Sequence, residues 1–241
     1  MEYILYALLA VFLITLGVTI HYSYLQGKKV GSKEVLKLQV KMVFDQTVEN
    51  FKLLNKKVKP NGVVFIGDFI FDNYNIHELF FGLHCYNRSF SGATTETFLQ
   101  NTDVFIYELN PKRIVLHIGS NDLEFHQANE TEITNKVKEI IKKIIYFDPN
   151  VQIILLSILP TNETIDKKLV GSRSLLRIKQ LNLLLSEIKE VIFVDAYQRL
   201  IDETECLGSK YTYDGLHLNE EGYKALTAVL SPFLTKTKSL I

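Results

Sequence analysis

Apolar positions change their rhythm along the chain. From Tyr3 to Ile20 there is no charged residue, and the run is apolar apart from Thr15, Thr19 and its tyrosines. As a helix this stretch would be about 27 Å long, close to the thickness of a bilayer hydrocarbon core. Tyr3, Tyr6, Tyr22 and Tyr24 fall near its ends, where amphipathic rings favour the interface. The rhythm then becomes helical. Leu36, Val40, Val43, Thr47, Phe51, Leu54 and Val58 recur at spacings of three and four, which predicts a helix capped by Ser32 and running to about Lys57. Its stripe either packs against the domain on its C-terminal side or pairs with a second copy as a stalk; Thr47 and the small number of heptads weaken the second use. Pro60-Asn61-Gly62 ends the helix. From Val63 onward short apolar runs alternate with helical patterns. The predicted strands are Val63–Ile66, His84–Asn87, Arg113–Ile118, Val151–Ser157 and Val191–Val194. The predicted helices lie near Thr94–Leu109, Glu130–Phe147 and Arg173–Lys189, with a last one from Asn219 to about Leu234. Val115-Leu116-His117-Ile118 and Ile153-Ile154-Leu155-Leu156 are nearly continuous apolar runs, as strands covered on both faces require. The pattern predicts a doubly wound, three-layer α/β/α domain around a parallel sheet.

Composition narrows the picture. Apolar residues make up 47% of the 241 positions, enough for a sizeable core. Lys plus Arg and Asp plus Glu are equal at 27 each, so no basic field marks a nucleic-acid partner. Cys85 and Cys206 lie far apart and outside any CxxC pair, which encodes neither a disulfide scaffold nor a zinc site. No basic residue precedes the N-terminal apolar run and no cleavage site succeeds it, so an uncleaved single-pass anchor is the expectation, with a buried core helix as the alternative. Lys28, Lys29, Lys33, Lys37 and Lys41 all come after it, which by the positive-inside rule puts the domain in the cytoplasm. The expected organisation is an anchor over 1–26, a linker helix over 27–60 and an α/β domain over 61–241.

In such a sheet ligands bind beyond the carboxyl ends of the strands, so the polar residues there carry the chemistry. They are Gly67-Asp68-Phe69 after the first strand, Arg88-Ser89-Phe90-Ser91-Gly92 after the second, and Gly119-Ser120-Asn121-Asp122 after the third. After the fifth, by way of a loop, comes Tyr213-Asp214-Gly215-Leu216-His217. Acyl transfer needs a nucleophile, a base, a group that orients the base, and oxyanion donors. Asp214 and His217, three apart at the start of a helix, can turn toward one cleft as orienting acid and base. Gly92 lets a backbone N–H approach a ligand, Asn121 offers a neutral amide donor, and the amide of residue 69 is a third candidate. Arg88 is expected in a surface ion pair and His117 as a satisfied core residue. His126 and the 124–130 loop are expected to border the cleft.

These blocks, in this order, resemble the SGNH, or GDSL-type, esterase superfamily over nearly all of residues 63–235, with HIGSND and YDGLHLNEEGY the most specific. The resemblance implies a flavodoxin-like α/β/α fold and hydrolysis or transfer of small acyl esters on sugars or lipids, without metal or organic cofactor. It carries the oxyanion-hole role to Gly92 and Asn121, the acid to Asp214 and the base to His217, and it gives Asp68 a turn-supporting role. Phe69 stands where these esterases have the serine nucleophile, and Ser89 where glycine is usual. A phenyl ring has no proton for His217 to take, and losing a triad nucleophile costs about a millionfold in turnover. Four readings compete: a binding or scaffolding relative, an esterase impaired at one position, a nucleophile relocated to Ser89 or Ser91, or direct activation of water by Asp214 and His217.

Overall fold

The computed structural model describes residues 42–125 and 128–234, together with 15–19, 21–24, 26–27 and residue 35. The expected anchor over residues 3–20 lies mostly outside these; among the described residues no helix is long and apolar enough to cross a membrane. The chain divides into two compact units, Met1–Asn50 and Phe51–Ile241. In the first, residues 42–50 are helical; in the second, the helical residues 51–55 are its part of α1.

The second unit is built on five parallel strands in the order β2-β1-β3-β4-β5. These are β1 (Val63–Gly67), β2 (Cys85–Asn87), β3 (Arg113–His117), β4 (Gln152–Leu156) and β5 (Ile192–Val194). Side chains alternate across the sheet. Phe65, Val115, Ile154, Leu156 and Val194 enter one apolar cluster. There they meet α2 (Phe69–Asp72), α3 (Ile76–Leu79), α10 (Tyr197–Leu200) and α11 (Glu220–Leu234). The buried residues between them, Val64, Ile66, Ile114, Leu116, Ile153 and Leu155, serve the opposite face. That face takes α4 (Thr95–Gln100), α7 (Glu130–Phe147) and α9 (Leu175–Ser186), which pack side by side. The result is a three-layer α/β fold.

The predicted strands are all present within a residue or two of their expected ends. The long helix expected over 94–109 is instead broken: Thr94 and Thr97 form a capping box for α4, and Asn101 interrupts the helix before α5 (Thr102–Phe105) and a 3-10 turn at Tyr107–Leu109. Asn101 Nδ2 bonds the Thr97 carbonyl, closing the first helix locally rather than letting it propagate. The helix expected from Arg173 begins at Leu175, because the Ser174 side chain accepts from Arg177 N and caps it there. Short helices after the strands, α2, α6 (Ser120–Phe125) and α8 (Glu163–Val170), had no periodic signal, being too brief to show one.

Phe51 and Asn55, near the end of α1, are buried within the second unit. Asn55 Nδ2 donates to the Val104 carbonyl at 2.7 Å and to Glu108 at 2.8 Å, and its Oδ1 accepts from Arg88 Nε at 2.8 Å. The Arg88 guanidinium lies 5.0 Å from the Phe51 ring centroid. Arg88 is thus a buried cation rather than a surface ion-pair residue. Burial lowers its pKa, with Tyr86 and Glu108 opposing the shift.

Candidate active site

The strand order reverses at β1, which has β2 on one side and β3 on the other. Loops leaving the carboxyl ends of β1 and β3 therefore diverge and open a crevice, where ligands bind in such sheets. The polar residues of the strand ends gather there.

At the end of β1 a side chain on Gly67 would run into the His117 carbonyl and the Phe71 ring, so glycine sets the close approach of this turn to β3. Asp68 caps α2, its Oδ1 accepting from Ile70 N at 3.0 Å. Fully buried, it supports the turn, as the resemblance implies. Its neighbour His117 is buried as expected but is not satisfied. Its Nδ1 lies 3.3 Å from Asp68 Oδ1 without hydrogen-bond geometry, and among the described residues both ring nitrogens and Asp68 Oδ2 have no hydrogen-bond partner.

Phe69 is 7% exposed. Its ring meets the His217 ring edge to face, centroids 4.8 Å apart. Its carbonyl is bonded by Asn73 Nδ2, and the next carbonyl, that of Ile70, by the Tyr223 hydroxyl. Tyr223 stacks on Tyr74, and burial pushes both phenols well above their ordinary range. The α2 turn is therefore closed by its own C-cap and tied through Tyr223 to α11.

The loop after β2 is fastened to the end of β1 by Arg88 N on the Phe65 carbonyl and Phe90 N on the Gly67 carbonyl. Ser89 is buried and turns its hydroxyl to the Phe65 carbonyl at 3.3 Å. Ser91 is exposed, and both its N–H and its hydroxyl bind Asp72 Oδ2, at 2.9 and 2.7 Å. Gly92 has φ +89°, a conformation that disfavours side chains, and a Cβ there would face open space. Asn121, at the start of α6, is buried; its Nδ2 donates to the Ala93 carbonyl at 3.0 Å, which places the amide beside Gly92.

The last piece is the 212–217 loop. Thr212 Oγ1 accepts from Asp214 N and Gly215 N. Gly215 has φ +83°, and a Cβ there would overlap the Asn162 carbonyl oxygen. This tight turn lets Asp214 Oδ1 accept from Leu216 N at 2.9 Å and His217 N at 2.8 Å, while Oδ2 lies 2.6 Å from His217 Nδ1. Burial pushes the Asp214 carboxyl up, but the backbone donors and the imidazole outweigh it and hold the group below its ordinary range. A carboxylate on Nδ1 fixes the tautomer whose Nε2 is free to take a proton.

The comparisons with known proteins give the family of the chain. A family model described as "GDSL-like Lipase/Acylhydrolase family" matches residues 74–225. The chain belongs to the GDSL-like lipase/acylhydrolase family. The match includes Gly92, Asn121, Asp214 and His217 and begins beyond Phe69. A solved structure from Streptococcus pneumonia, described as a candidate platelet activating factor, is 32% identical and superposes with a TM-score of 0.79, covering 84% of this chain and 98% of that one. The human platelet-activating factor acetylhydrolase IB subunit alpha2 is 27% identical over 181 residues, 71% of this chain and 75% of that protein. A GDSL-like lipase of Bacteroides thetaiotaomicron, 22% identical with a TM-score of 0.69 over 78% of this chain and 97% of that one, shares the fold.

Two residues of this GDSL-like site carry no signal in the sequence. Thr212, buried beneath the Asp214 turn, reads as an ordinary loop threonine. Arg173 reads as the first residue of a helix, yet it is buried and its Nη2 donates to Asn121 Oδ1 at 2.9 Å. Burial lowers its pKa, while Glu124 and Asp68 act the other way. His126 lies outside the described residues.

Proposed function

We propose that this chain carries an acyl-ester hydrolase site, complete in its base, orienting acid and oxyanion donors, in which Phe69 holds the position of the nucleophile. The observation that carries the reading is the stack of contacts Asp214–His217–Phe69: a carboxylate 2.6 Å from the imidazole Nδ1, and the imidazole packed against the ring of residue 69. In a working site of this kind a hydroxyl at position 69 gives its proton to His217 and attacks the ester carbonyl. The Gly92 and Asn121 donors receive the oxyanion, and His217 returns the proton to the leaving alcohol. Phe69 removes the hydroxyl on which the first step depends, so the later steps cannot follow, although the groups that would serve them are present. Its buried ring favours an impaired esterase over an open binding cleft. Ser89 is bound to the backbone and Ser91 to Asp72, which speaks against either as a replacement nucleophile. The human relative named as a platelet-activating factor acetylhydrolase supports a short acyl group such as acetyl as the group removed.

The test is Phe69→Ser assayed on p-nitrophenyl acetate. A hydroxyl within reach of His217 is expected to raise turnover at least ~100-fold over the natural chain, a fraction of the full value of a triad nucleophile. Adding His217→Ala is expected to abolish the gain. A folded Phe69→Ser protein with no gain would overturn the reading. We further propose that residues 3–20 anchor the domain to a membrane, with the Lys28–Lys41 cluster on the cytoplasmic side.

A further inference from the structure

We infer that Arg173 is a positioning residue for the oxyanion hole, fixing the orientation of the Asn121 amide and strengthening it as a donor. The inference rests on the proposed esterase reading of the site and goes beyond it, since neither the motif blocks nor the resemblance gives Arg173 a role.

An asparagine amide donates from one end and accepts at the other, and a half-turn exchanges them. In an oxyanion hole only one orientation works, because an amide oxygen turned toward a developing oxyanion repels it. Asn121 has its two ends read by partners of opposite character. Ala93 O, which can only accept, takes an N–H from Nδ2 at 3.0 Å. Arg173 Nη2, which can only donate, binds Oδ1 at 2.9 Å. A flipped amide would face carbonyl with carbonyl and guanidinium with NH2, so both contacts select the same orientation. Nδ2 has a second N–H, which the proposed esterase reading assigns to the oxyanion.

The guanidinium is itself held rigidly. Nε donates to the Ser120 carbonyl at 3.2 Å, and Nη1 donates to the Val170 carbonyl at 3.2 Å and lies 4.0 Å from Glu124 Oε2. The same group thus ties the start of α6, which carries Asn121, to the end of α8. Burial at 4% exposure keeps solvent from screening it. A cation on the oxygen end of an amide draws electron density from its nitrogen end and makes the remaining N–H a stronger donor. The effect matters most as the oxyanion develops, and so belongs to turnover more than to substrate binding.

The test has two readouts. In the Phe69→Ser background, Arg173→Lys keeps the charge but loses the planar fork; it is expected to lower kcat about 10- to 100-fold with KM changed less than about twofold. Arg173→Gln serves as a second variant should lysine be poorly accommodated, with circular dichroism confirming the fold of each. The second readout uses the natural chain and needs no activity. The Asn121 side-chain NH2 pair in a proton–nitrogen correlation spectrum, identified by its loss in Asn121→Asp, is expected to shift in Arg173→Lys. An unshifted pair overturns the inference, as does a shifted pair with kcat unchanged, or a loss confined to KM. If Phe69→Ser itself proves folded and inactive, the esterase reading fails on that result alone, and the NH2 pair still decides whether Arg173 holds the amide.

Discussion

The contact between Phe69 and His217 sets the chemistry of this cleft at the scale of single residues. The phenyl ring presents no group that the imidazole can deprotonate, and it packs as a core residue; on the proposed reading it contributes to stability while removing a reaction step. Replacing a buried phenylalanine with a small residue costs about 3 kcal/mol. Phe69→Ser is therefore expected to lower the thermal midpoint while raising esterase turnover, a trade that calorimetry and assay can track together. Asp214 gives a second prediction. Its carboxyl is lower in the folded protein than in the unfolded chain, so its ionised form adds stability above the unfolded carboxylate range, near pH 4, and that contribution is lost as pH falls through the folded value. The midpoint of the natural chain is expected to fall more steeply below about pH 4 than that of Asp214→Asn. Equal slopes would mean that the pairing with His217 and the backbone donors does not hold the carboxylate in solution. Both residues, with Gly92 and Asn121, are legible in the sequence because each belongs to a motif with its own spacing. Arg173 and Thr212 are not, because their roles arise from where a loop returns in space.

At the scale of elements, two glycines separate backbone strain from steric exclusion. Gly92 and Gly215 both have positive φ, but a Cβ on Gly92 faces open space whereas one on Gly215 meets the Asn162 backbone. Gly92→Ala is expected to cost about 1–2 kcal/mol from conformation alone. Gly215→Ala adds overlap to the same strain and is expected to cost about 3 kcal/mol or more, loosening the turn that joins Asp214 to His217. Urea denaturation of the two variants distinguishes them; equal losses would contradict the geometry of the 212–217 turn. The strands β3 and β4 were readable as nearly continuous apolar runs, and α7 from its period. The break between α4 and α5 was hidden, because it depends on an Asn101 side chain bonding the helix that precedes it, a choice that apolar spacing does not record.

For the whole molecule, the α/β alternation predicts the sheet, and the observed order places the crevice where Asp68, Phe69 and Asn121 emerge. The compact unit includes Phe51 and Asn55, from the helix expected as a linker, and both contact the buried Arg88. A fragment of residues 51–241 is expected to fold, and one beginning at residue 61 to be weaker by about 2 kcal/mol or more, since a buried guanidinium loses its partner. Equal thermal midpoints would contradict this. The full chain, but not the 51–241 fragment, is expected to sediment with membranes; a soluble full chain would remove the proposed anchor. The most direct test of the site is stoichiometric labelling with a fluorophosphonate, mapped by mass spectrometry. Phe69→Ser is expected to carry one adduct, on residue 69, lost on adding His217→Ala, while the natural chain stays unlabelled. A folded Phe69→Ser protein that takes no label, or a natural chain labelled at Ser89 or Ser91, would contradict the assignment of position 69 as the nucleophile site.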